Sequence, residues 1–360
     1  MPRMDGRDPR QLQQLLLAKT GAALALSARR VNMAPQIPEQ NAASASMATL
    51  LLTHPSFVEH DTGAGHPERA DRMRAIDKVL AHEIFAGLVR EEAPLRDDVE
   101  EQILLAHPKA HLEKMRAIAA RPLEHPTHID GDTVVSAGTW EAARRAVGAG
   151  LAAVDAVIAG KAANAFCQVR PPGHHAESDR AMGFCLFSNA AIAGLYARAK
   201  HGAERVAIVD FDVHHGNGTQ DIFWSDKDLF YASTHEMPLF PGTGAVNERG
   251  VGNIHNAPLR ARDGGEQFRE AVESRILPAL HNFGPDILIV SAGFDAHQAD
   301  PLANLRLVEA DYLWVTEKLA GIAQRHSKGR IVSMLEGGYD LNALARSTAV
   351  HVKALMDAGS

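Results

Sequence analysis

The chain has 360 residues, of which 46% are hydrophobic and 22% charged, as in ordinary globular proteins. Its formal net charge is −7 and it has no long basic run, so no nucleic-acid partner is expected. The two cysteines, Cys167 and Cys185, cannot form a disulfide framework, and we expect a reducing compartment, the cytoplasm. No apolar run reaches the roughly 20 residues of a membrane-spanning helix, so no membrane partner is predicted.

The amino-terminal part of the chain differs in composition from the remainder. Residues 32–46, NMAPQIPEQNAASAS, are rich in proline, alanine, serine and glutamine, which is typical of a loose linker. The sequence that follows Met47, ATLLLTHP, has the pattern of a first buried strand. We therefore predict a flexible extension over residues 1–47 and one folded domain over residues 48–360.

From there on, short β-branched runs alternate with longer segments of helical periodicity. Strands are predicted, in chain order, at residues 48–55, 164–169, 205–211, 229–234, 286–292 and 330–336. Helices are predicted at residues 66–81, with Pro67 in the first turn, 138–160, ending at Gly160, 189–201, 266–280, 309–326 and 341–356. Strands that alternate with helices predict an α/β fold with a parallel sheet covered on both faces.

Polar residues follow four of the predicted strands. The segments are RPPGHHAE, DFDVHHGNG, SAGFDAH and LEGGYD. Because the carboxyl ends of parallel strands share one edge of a sheet, we expect their side chains to converge there. The residues concerned are His174, His175, Asp210, Asp212, His214, His215, Asp295, His297 and Tyr339.

A metal site is the first chemistry that these residues suggest. Asp212 and His214 are separated by one residue, so both side chains point to the same side of an extended segment. With Asp295 as a third ligand and a fourth position open, the set is typical of catalytic zinc. The alternative for the Asp-x-His pair alone is a hydrogen bond that caps a loop.

The tandem histidines and the tyrosine suggest acid–base chemistry beside the metal. His174 and His175 can supply a base for a metal-activated water and an acid for a leaving group. Tyr339, after the flexible pair Gly337-Gly338, can donate a hydrogen bond to a developing oxyanion. In isolation, the histidines could equally be surface loop residues and the tyrosine a packing residue.

Taken together, the motifs RPPGHH, DFDVHHGNGTQD, SAGFDAH and EGGYD resemble those of the zinc-dependent histone deacetylases and the related acetylpolyamine amidohydrolases. The resemblance implies the arginase-deacetylase fold, a single open parallel sheet of about eight strands with helices on both faces. It also implies a catalytic domain over residues 48–360 that removes acetyl or other acyl groups from lysine side chains. An acetylpolyamine amidohydrolase is the alternative. The expected partner is an acyl-lysine peptide or protein, or a small acylated amine, and a homo-oligomer is left open.

The resemblance further implies a role for each matching residue. One Zn²⁺ per chain would be held by Asp212, His214 and Asp295, with His175 as general base and acid. His174, supported by Asp210, would assist electrostatically, and Tyr339 would polarise the acyl carbonyl. Family members also bind K⁺ or Na⁺ beside the zinc, and the matching ligands are Asp210, Asp212, His214, Ser233 and the backbone of Thr234.

Other positions bear on the subtype and the substrate. Asn217 stands where one branch of the family has an aspartate beside the second histidine, and with EGGYD it resembles the class II branch. Gly183, Phe184 and Phe240 match the walls of a narrow tunnel around the acyl-lysine stem, although each phenylalanine could be plain core. Arg69 is expected to line an acetate exit channel. Leu302 matches the tunnel mouth, where polyamine-selective members carry glutamate.

Two further readings compete with a zinc deacetylase. A two-manganese ureohydrolase, which shares the fold, would need additional aspartates, but Gly293 stands where one of them belongs. A non-catalytic acyl-lysine-binding module would be expected to lack the tyrosine, a histidine or a metal ligand, and none is missing here.

Overall fold

The structure, a computed structural model, describes residues 48–121 and 124–360. The predicted extension, residues 1–47, lies outside the described residues. The strands of the described part are β1 (Thr49–Thr53), β2 (Val89–Glu92), β3 (Thr127–His128), β4 (Val134–Val135), β5 (Asn164–Cys167), β6 (Val206–Asp210), β7 (Leu229–Glu236), β8 (Ile254–Leu259), β9 (Ile287–Ala292) and β10 (Ile331–Leu335). Its α-helices are α1 (Ser56–Glu59), α2 (Asp71–Leu80), α3 (Val99–Ile103), α4 (Lys109–Ala119), α5 (Thr139–Ile158), α6 (Asn189–His201), α7 (Asn217–Phe223), α8 (Gly265–Ala271), α9 (Leu277–Phe283), α10 (Glu309–His326) and α11 (Leu341–Ala358).

Eight of these strands form one parallel sheet in the order β2-β1-β5-β10-β9-β6-β7-β8. The short strands β3 and β4 pair with each other in an antiparallel ladder. Strands β5, β6, β9 and β10 are buried at every residue, so both faces of the sheet centre are covered. Helices α5 and α6 form one covering group, and α2, α10 and α11 form another. The expected fold is confirmed.

Two predicted helices differ from those observed. The helix predicted over residues 66–81 begins only at Asp71, so Pro67 is not in its first turn. The residues before it are held in another conformation, because the side chain of Glu68 is buried among charged partners and its carbonyl accepts a hydrogen bond from Thr62. The helix predicted over 266–280 is divided by a π-helical segment, Val272–Ile276. Pro278 explains this, since proline lacks an N–H group and crowds the carbonyl of the preceding turn.

The remaining predicted helices agree closely with the structure. Helices α6 and α10 have the predicted bounds, and α5 ends near Gly160, which has a left-handed φ of 67°. Strands β2, β3, β4 and β8 were not predicted. All four residues of β2, VREE, are exposed, which suits the edge of a sheet but conceals the strand in the sequence. Within the described ranges, no helix combines the length and hydropathy of a membrane span.

Candidate active site

The four polar segments meet at one edge of the sheet. Strands β5, β10, β9 and β6 are consecutive neighbours, so the residues that follow them lie side by side. Eight of the nine residues concerned are buried, namely His174, His175, Asp210, Asp212, His214, His215, Asp295 and His297, and Tyr339 is half-buried. Charged groups buried at this density require partners of opposite charge.

A cluster of two carboxylates and one imidazole lies at the centre of this edge. One potential ligand atom from each of Asp212, His214 and Asp295 lies within 4.8 Å of the others. The Nδ1 atom of His214 is 3.2 Å from Asp212 Oδ1 and 3.2 Å from Asp295 Oδ2. Burial opposes protonation of His214, but the two carboxylates outweigh burial and raise its pKa to about 10. The position therefore favours positive charge, and its donor set fits a divalent metal ion such as zinc.

Two glycines allow the backbone to approach these carboxylates closely. A Cβ atom on Gly293 would lie 1.9 Å from Asp212 Oδ2, and one on Gly337 would lie 2.1 Å from Asp295 Oδ2. The Gly337 N–H group donates to Asp212 Oδ2 at 2.8 Å, which fixes the orientation of that carboxylate. Because Gly293 has no room for a side chain, the aspartate that a two-manganese site would need there cannot be accommodated.

The tandem histidines are buried beside this cluster and have different partners. Their ring centroids are 4.0 Å apart, His174 Nδ1 is 3.0 Å from Asp210 Oδ2, and His175 Nδ1 is 2.8 Å from Asn217 Oδ1. Burial lowers the pKa of His174, but Asp212 and Asp210 outweigh it and raise the pKa well above its ordinary value. For His175, burial and the neighbouring His174 hold the pKa well below its ordinary value. The pair thus combines a group that favours the cation with one that favours the neutral form.

Glu336 anchors the histidine segment and was missed by the sequence analysis. Its Oε2 atom accepts hydrogen bonds from the N–H groups of Gly173 at 2.7 Å and His174 at 3.2 Å, and its Oε1 accepts from Ser291 Oγ at 3.1 Å. Burial raises the pKa of Glu336 to about 7. The carboxylate therefore links the ends of β5, β9 and β10. A glutamate before Gly-Gly-Tyr was visible in the sequence, but nothing local indicated its partners.

Tyr339 lies above a buried arginine that was also missed. The guanidinium carbon of Arg72 is 5.2 Å from the centroid of the Tyr339 ring, and its Nε donates to Gly338 O at 2.7 Å. Arg69, which was expected to line an exit channel, instead lies at the surface and pairs with Asp71 at 3.5 Å. Arg72 is the arginine that faces the interior, and the structure does not bring Arg69 into the site.

Aromatic rings flank the approach to His175. The Phe240 ring is 5.0 Å from that of His175, and 41% of Phe240 is exposed, so it forms part of an open mouth. The Phe184 ring is 5.9 Å from that of Tyr339. Phe184 has a left-handed φ of 68°, and a Cβ atom on Gly183 would lie 2.5 Å from the imidazole of His175. The Gly183-Phe184 backbone therefore packs directly against the candidate base.

Leu302 is connected to Tyr339 through one carboxylate. The Leu302 N–H group donates to Asp300 Oδ1 at 3.0 Å, and the Tyr339 N–H group donates to Asp300 Oδ2 at 2.7 Å. Leu302 itself is half-buried. Asp300 therefore fixes the loop of Leu302 relative to the tyrosine.

Two of the histidines predicted at this edge of the sheet contact groups outside the Asp212-His214-Asp295 cluster. His215 Nδ1 is 2.8 Å from Thr243 Oγ1, and its ring is 4.8 Å from that of His235. His297 is buried 3.6 Å from Glu309. Residues 212–215 lie in an irregular segment between β6 and α7, and His215 is directed towards Thr243 at this point. There it supports the turn that carries Phe240.

The residues expected to bind a monovalent cation lie on adjacent strands. Asp210 of β6 is directly paired with Ser233 of β7. The Ser233 hydroxyl is 2.9 Å from His235 Nδ1, and Thr234 Oγ1 is buried without a hydrogen-bond partner among the described residues. Because directly paired residues of parallel strands project to the same face, the side chains of Asp210 and Ser233 lie on the same face of the sheet.

Comparison with known proteins adds to this geometry. The histone deacetylase domain family matches residues 66–355. The chain is similar to the histone deacetylase-like amidohydrolase of Pseudomonas aeruginosa, with 38% identity over 81% of this chain and 77% of that protein. It is also similar to histone deacetylase 14, chloroplastic, of Arabidopsis thaliana, with 40% identity over 81% of this chain and 73% of that protein. A crystal structure of the HDA15 HD domain superposes with a TM-score of 0.81 and 34% identity, covering 87% of this chain and 89% of that one.

Proposed function

The chain belongs to the histone deacetylase family and is a deacetylase of the amidohydrolase type; on that premise, we propose that it depends on zinc and removes acetyl or other acyl groups from lysine side chains. The observation that carries this proposal is the buried Asp212-His214-Asp295 cluster beside two histidines whose pKa values are shifted in opposite directions. Residues 48–360 would form the catalytic domain, preceded by an extension over residues 1–47. The scarcity of cysteine supports a cytoplasmic location.

In this proposal, one Zn²⁺ per chain is held by Asp212, His214 and Asp295. When bound, such an ion supplies Lewis-acid chemistry, because it polarises a carbonyl group and makes water more acidic. K⁺ or Na⁺ would be held nearby by Asp210, Ser233 and Thr234, together with Asp212 and His214. The pairing of Asp210 with Ser233 across β6 and β7 supports that assignment.

His175 would act as the base and then as the acid. Its low pKa leaves it neutral at physiological pH, so its free Nε2 atom can accept the proton that the attacking water loses. The water oxygen bonds to the acyl carbon, and the carbon–nitrogen bond then breaks. The departing amine takes the proton from His175, which yields a carboxylic acid and an amine, and at neutral pH these become a carboxylate and an ammonium group by transfer of one proton. His174, with its raised pKa, would remain cationic and stabilise negative charge beside the reaction.

Tyr339 would donate its phenolic hydrogen to the acyl oxygen. Burial raises the pKa of this phenol well above its ordinary value, so the hydroxyl group stays protonated and available as a donor. The Tyr339 ring contacts Phe184, and the His175 ring contacts Phe240. These contacts support the assignment of both phenylalanines to the walls around the aliphatic stem of the acyl-lysine. Gly183 would allow this wall to approach the base.

Leu302 favours acyl-lysine over acetylpolyamine as the substrate. A polyamine carries further ammonium groups beyond the acylated nitrogen, and an apolar side chain at the mouth offers them no attraction. The stem and backbone of a peptide-borne lysine would suit leucine better. Acetylpolyamine hydrolysis is therefore the alternative.

The test combines metal analysis with a substrate panel. We expect one zinc per chain by elemental analysis, and turnover of acetyl-lysine peptides that exceeds that of acetylputrescine and acetylspermidine in kcat/KM. Longer acyl-lysines in the same panel would report the acyl preference. Asp212→Ala is the matched control and should lose both zinc and activity. Zinc-loaded protein that hydrolyses no acylated amine would refute the proposal.

A further inference from the structure

The side-chain amide of Asn217 can take two orientations that differ in the group facing His175, whereas an aspartate in its place would present an oxygen atom in both. The amide has an acceptor end, Oδ1, and a donor end, Nδ2, and the chain can place either end beside His175. A neutral imidazole has two tautomers. If Asn217 Oδ1 faces His175 Nδ1, the hydrogen lies on Nδ1 and Nε2 is free to accept a proton. If the amide is turned over, Nδ2 donates to Nδ1, the hydrogen lies on Nε2, and His175 cannot act as a base.

The surroundings of Asn217 select one of these orientations. His175 Nδ1 lies 2.8 Å from Asn217 Oδ1, while Asn217 Nδ2 donates to Glu177 Oε1 at 2.8 Å and to Met182 Sδ at 3.4 Å. Both partners of Nδ2 can only accept hydrogen bonds, and the carboxylate is by far the stronger acceptor. Turning the amide over would place Asn217 Oδ1 against the Glu177 carboxylate, with two acceptors in contact and no hydrogen between them.

The backbone around Asn217 is held in place by its neighbours. Rotation of the side-chain amide is therefore the main freedom that remains. The Gly218 N–H group donates to His174 O at 3.0 Å, and a Cβ atom on Gly218 would lie 2.1 Å from Ala176 O. The start of helix α7 is therefore fixed against the histidine segment. Within a fixed backbone, the identity of the group facing Asn217 Nδ2 decides the orientation of the amide.

The segment that carries Glu177 is itself held in place. The Glu177 N–H group donates to Arg180 O at 2.9 Å, which closes a tight turn. The Ser178 N–H group donates to Asp221 Oδ2 at 2.9 Å, so helix α7 supports the turn from one side. His107 Nδ1 lies 3.0 Å from Ser178 O on the other side. The half-buried Glu177 carboxylate is thereby directed at Asn217.

We propose that Glu177 is a positioning residue for the deacetylation reaction, because its carboxylate fixes the Asn217 amide and thereby the tautomer in which His175 is a competent base. This proposal rests on the proposed role of His175. The negative charge of Glu177 is therefore separated from His175 by Asn217. In family members with an aspartate at position 217, the negative charge lies directly beside the histidine. Glu177 touches neither substrate nor metal and acts through Asn217.

A double-mutant cycle on the zinc-loaded enzyme tests this role. The variants are E177A, N217D and E177A/N217D, each with measured zinc content and kcat/KM on an acetyl-lysine peptide. We expect E177A to lose about tenfold or more in kcat/KM in the wild-type background. In the N217D background the same change should cost less than about twofold or even raise kcat/KM, because a carboxylate at 217 needs no orientation and is repelled by Glu177. An equal loss in both backgrounds would mean that Glu177 only supports its own loop, and would overturn the proposal.

A second measurement does not depend on turnover. The ¹⁵N spectrum of histidine-labelled holoenzyme, with His175 assigned by comparison with H175A, reports which ring nitrogen carries the hydrogen. We expect the Nδ1–H form in the wild type and a substantial Nε2–H population in E177A. D179A is the matched control, since it removes an exposed carboxylate of the same turn but leaves Glu177 and its supporting contacts, and it should keep the wild-type tautomer. An unchanged tautomer in E177A would refute the inference, whereas failure of all acylated amines as substrates would refute only the proposed function.

Discussion

The rings of His174 and His175 lie 4.0 Å apart, yet their Nδ1 atoms face a carboxylate in one case and an amide in the other. The carboxylates of Asp212 and Asp210 raise the pKa of His174, against the effect of burial. His175 has only a neutral amide as its hydrogen-bond partner, and burial lowers its pKa. Two adjacent residues of one type thus acquire different acid–base properties from their partners alone.

The amide partner should be visible in the pH profile of the enzyme. Asn217→Asp places negative charge beside His175 and should raise the pKa of that imidazole. Because His175 must be neutral to accept a proton, the acidic limb of kcat/KM should move to higher pH, as measured on zinc-loaded enzyme. An acidic limb that does not move would show that another group is the titrating base.

Tyr339→Phe should separate catalysis from metal binding. The variant keeps the ring that contacts Phe184 but removes the hydroxyl donor, so we expect a loss of about 100-fold or more in kcat, as for deletion of one oxyanion donor. Zinc content and the melting temperature should remain near those of the wild type. Near-normal turnover of acetyl-lysine by Tyr339→Phe would contradict the role assigned to the phenol.

Leu302→Glu should shift selectivity towards polyamines. A carboxylate at the mouth would attract the additional ammonium groups of acetylspermidine, with a preference of roughly 1–3 kcal/mol in a partly shielded position. The measurement is the ratio of kcat/KM for acetylspermidine to that for an acetyl-lysine peptide, with Leu302→Gln as the uncharged control. A wild-type enzyme that already prefers acetylpolyamines by about tenfold would support the alternative function instead.

Glu68→Gln should destabilise the fold. Glu68 is fully buried and accepts hydrogen bonds from Arg170 at 2.5 and 2.7 Å and from Arg72 at 3.0 Å. Removing its charge leaves two buried guanidinium groups uncompensated, and we expect a loss of about 3–5 kcal/mol in the free energy of unfolding. The exposed Glu141, which pairs with Arg145, provides the control, and Glu141→Gln should cost less than about 1 kcal/mol.

The contribution of Glu68 to stability should also depend on pH. Burial raises the pKa of Glu68, but Arg170 and Arg72 outweigh burial and hold it well below its usual range. The stability that this carboxylate contributes is therefore fully present above its unfolded pKa, about 4.3, and is lost as the pH falls towards the folded value. The melting temperature of the wild type should fall on acidification below about pH 4.3, and that of Glu68→Gln should fall less. Parallel curves for the two proteins would refute the assignment.

The parts of the site that the sequence predicted are those encoded by local periodicity. The grouping of polar residues after buried strands indicated the edge where Asp212 and His214 meet, although residues 212–214 form a bend after β6 and not the extended segment that was predicted. The residues that were missed interact over long sequence distances: Arg72 donates to Gly338, 266 residues away, and Glu68 accepts from Arg170, 102 residues away. No local pattern distinguishes such a residue from an ordinary surface charge.

The helix boundaries illustrate the same difference. The bounds of α6 and α10 followed from their periodicity, because no tertiary contact overrides it. Helix α2 begins late because the segment before it is fixed by the buried Glu68, which a helical pattern does not reveal. Strand β2 was missed because it lies at the sheet edge with every residue exposed.

The strand order has a consequence for how the protein matures. Strand β10 is the last strand in chain order, yet it lies between β5 and β9, and it leads directly into Gly337 and Tyr339. During synthesis, a nascent chain that has not yet reached residue 331 must keep the facing edges of β5 and β9 unpaired. It also lacks the backbone N–H group that holds Asp212. Completion of the sheet and hydrogen-bond support for Asp212 therefore arise together, only after the residues through Gly337 have been synthesised, and a product truncated before residue 331 would leave two strand edges unpaired and prone to aggregate.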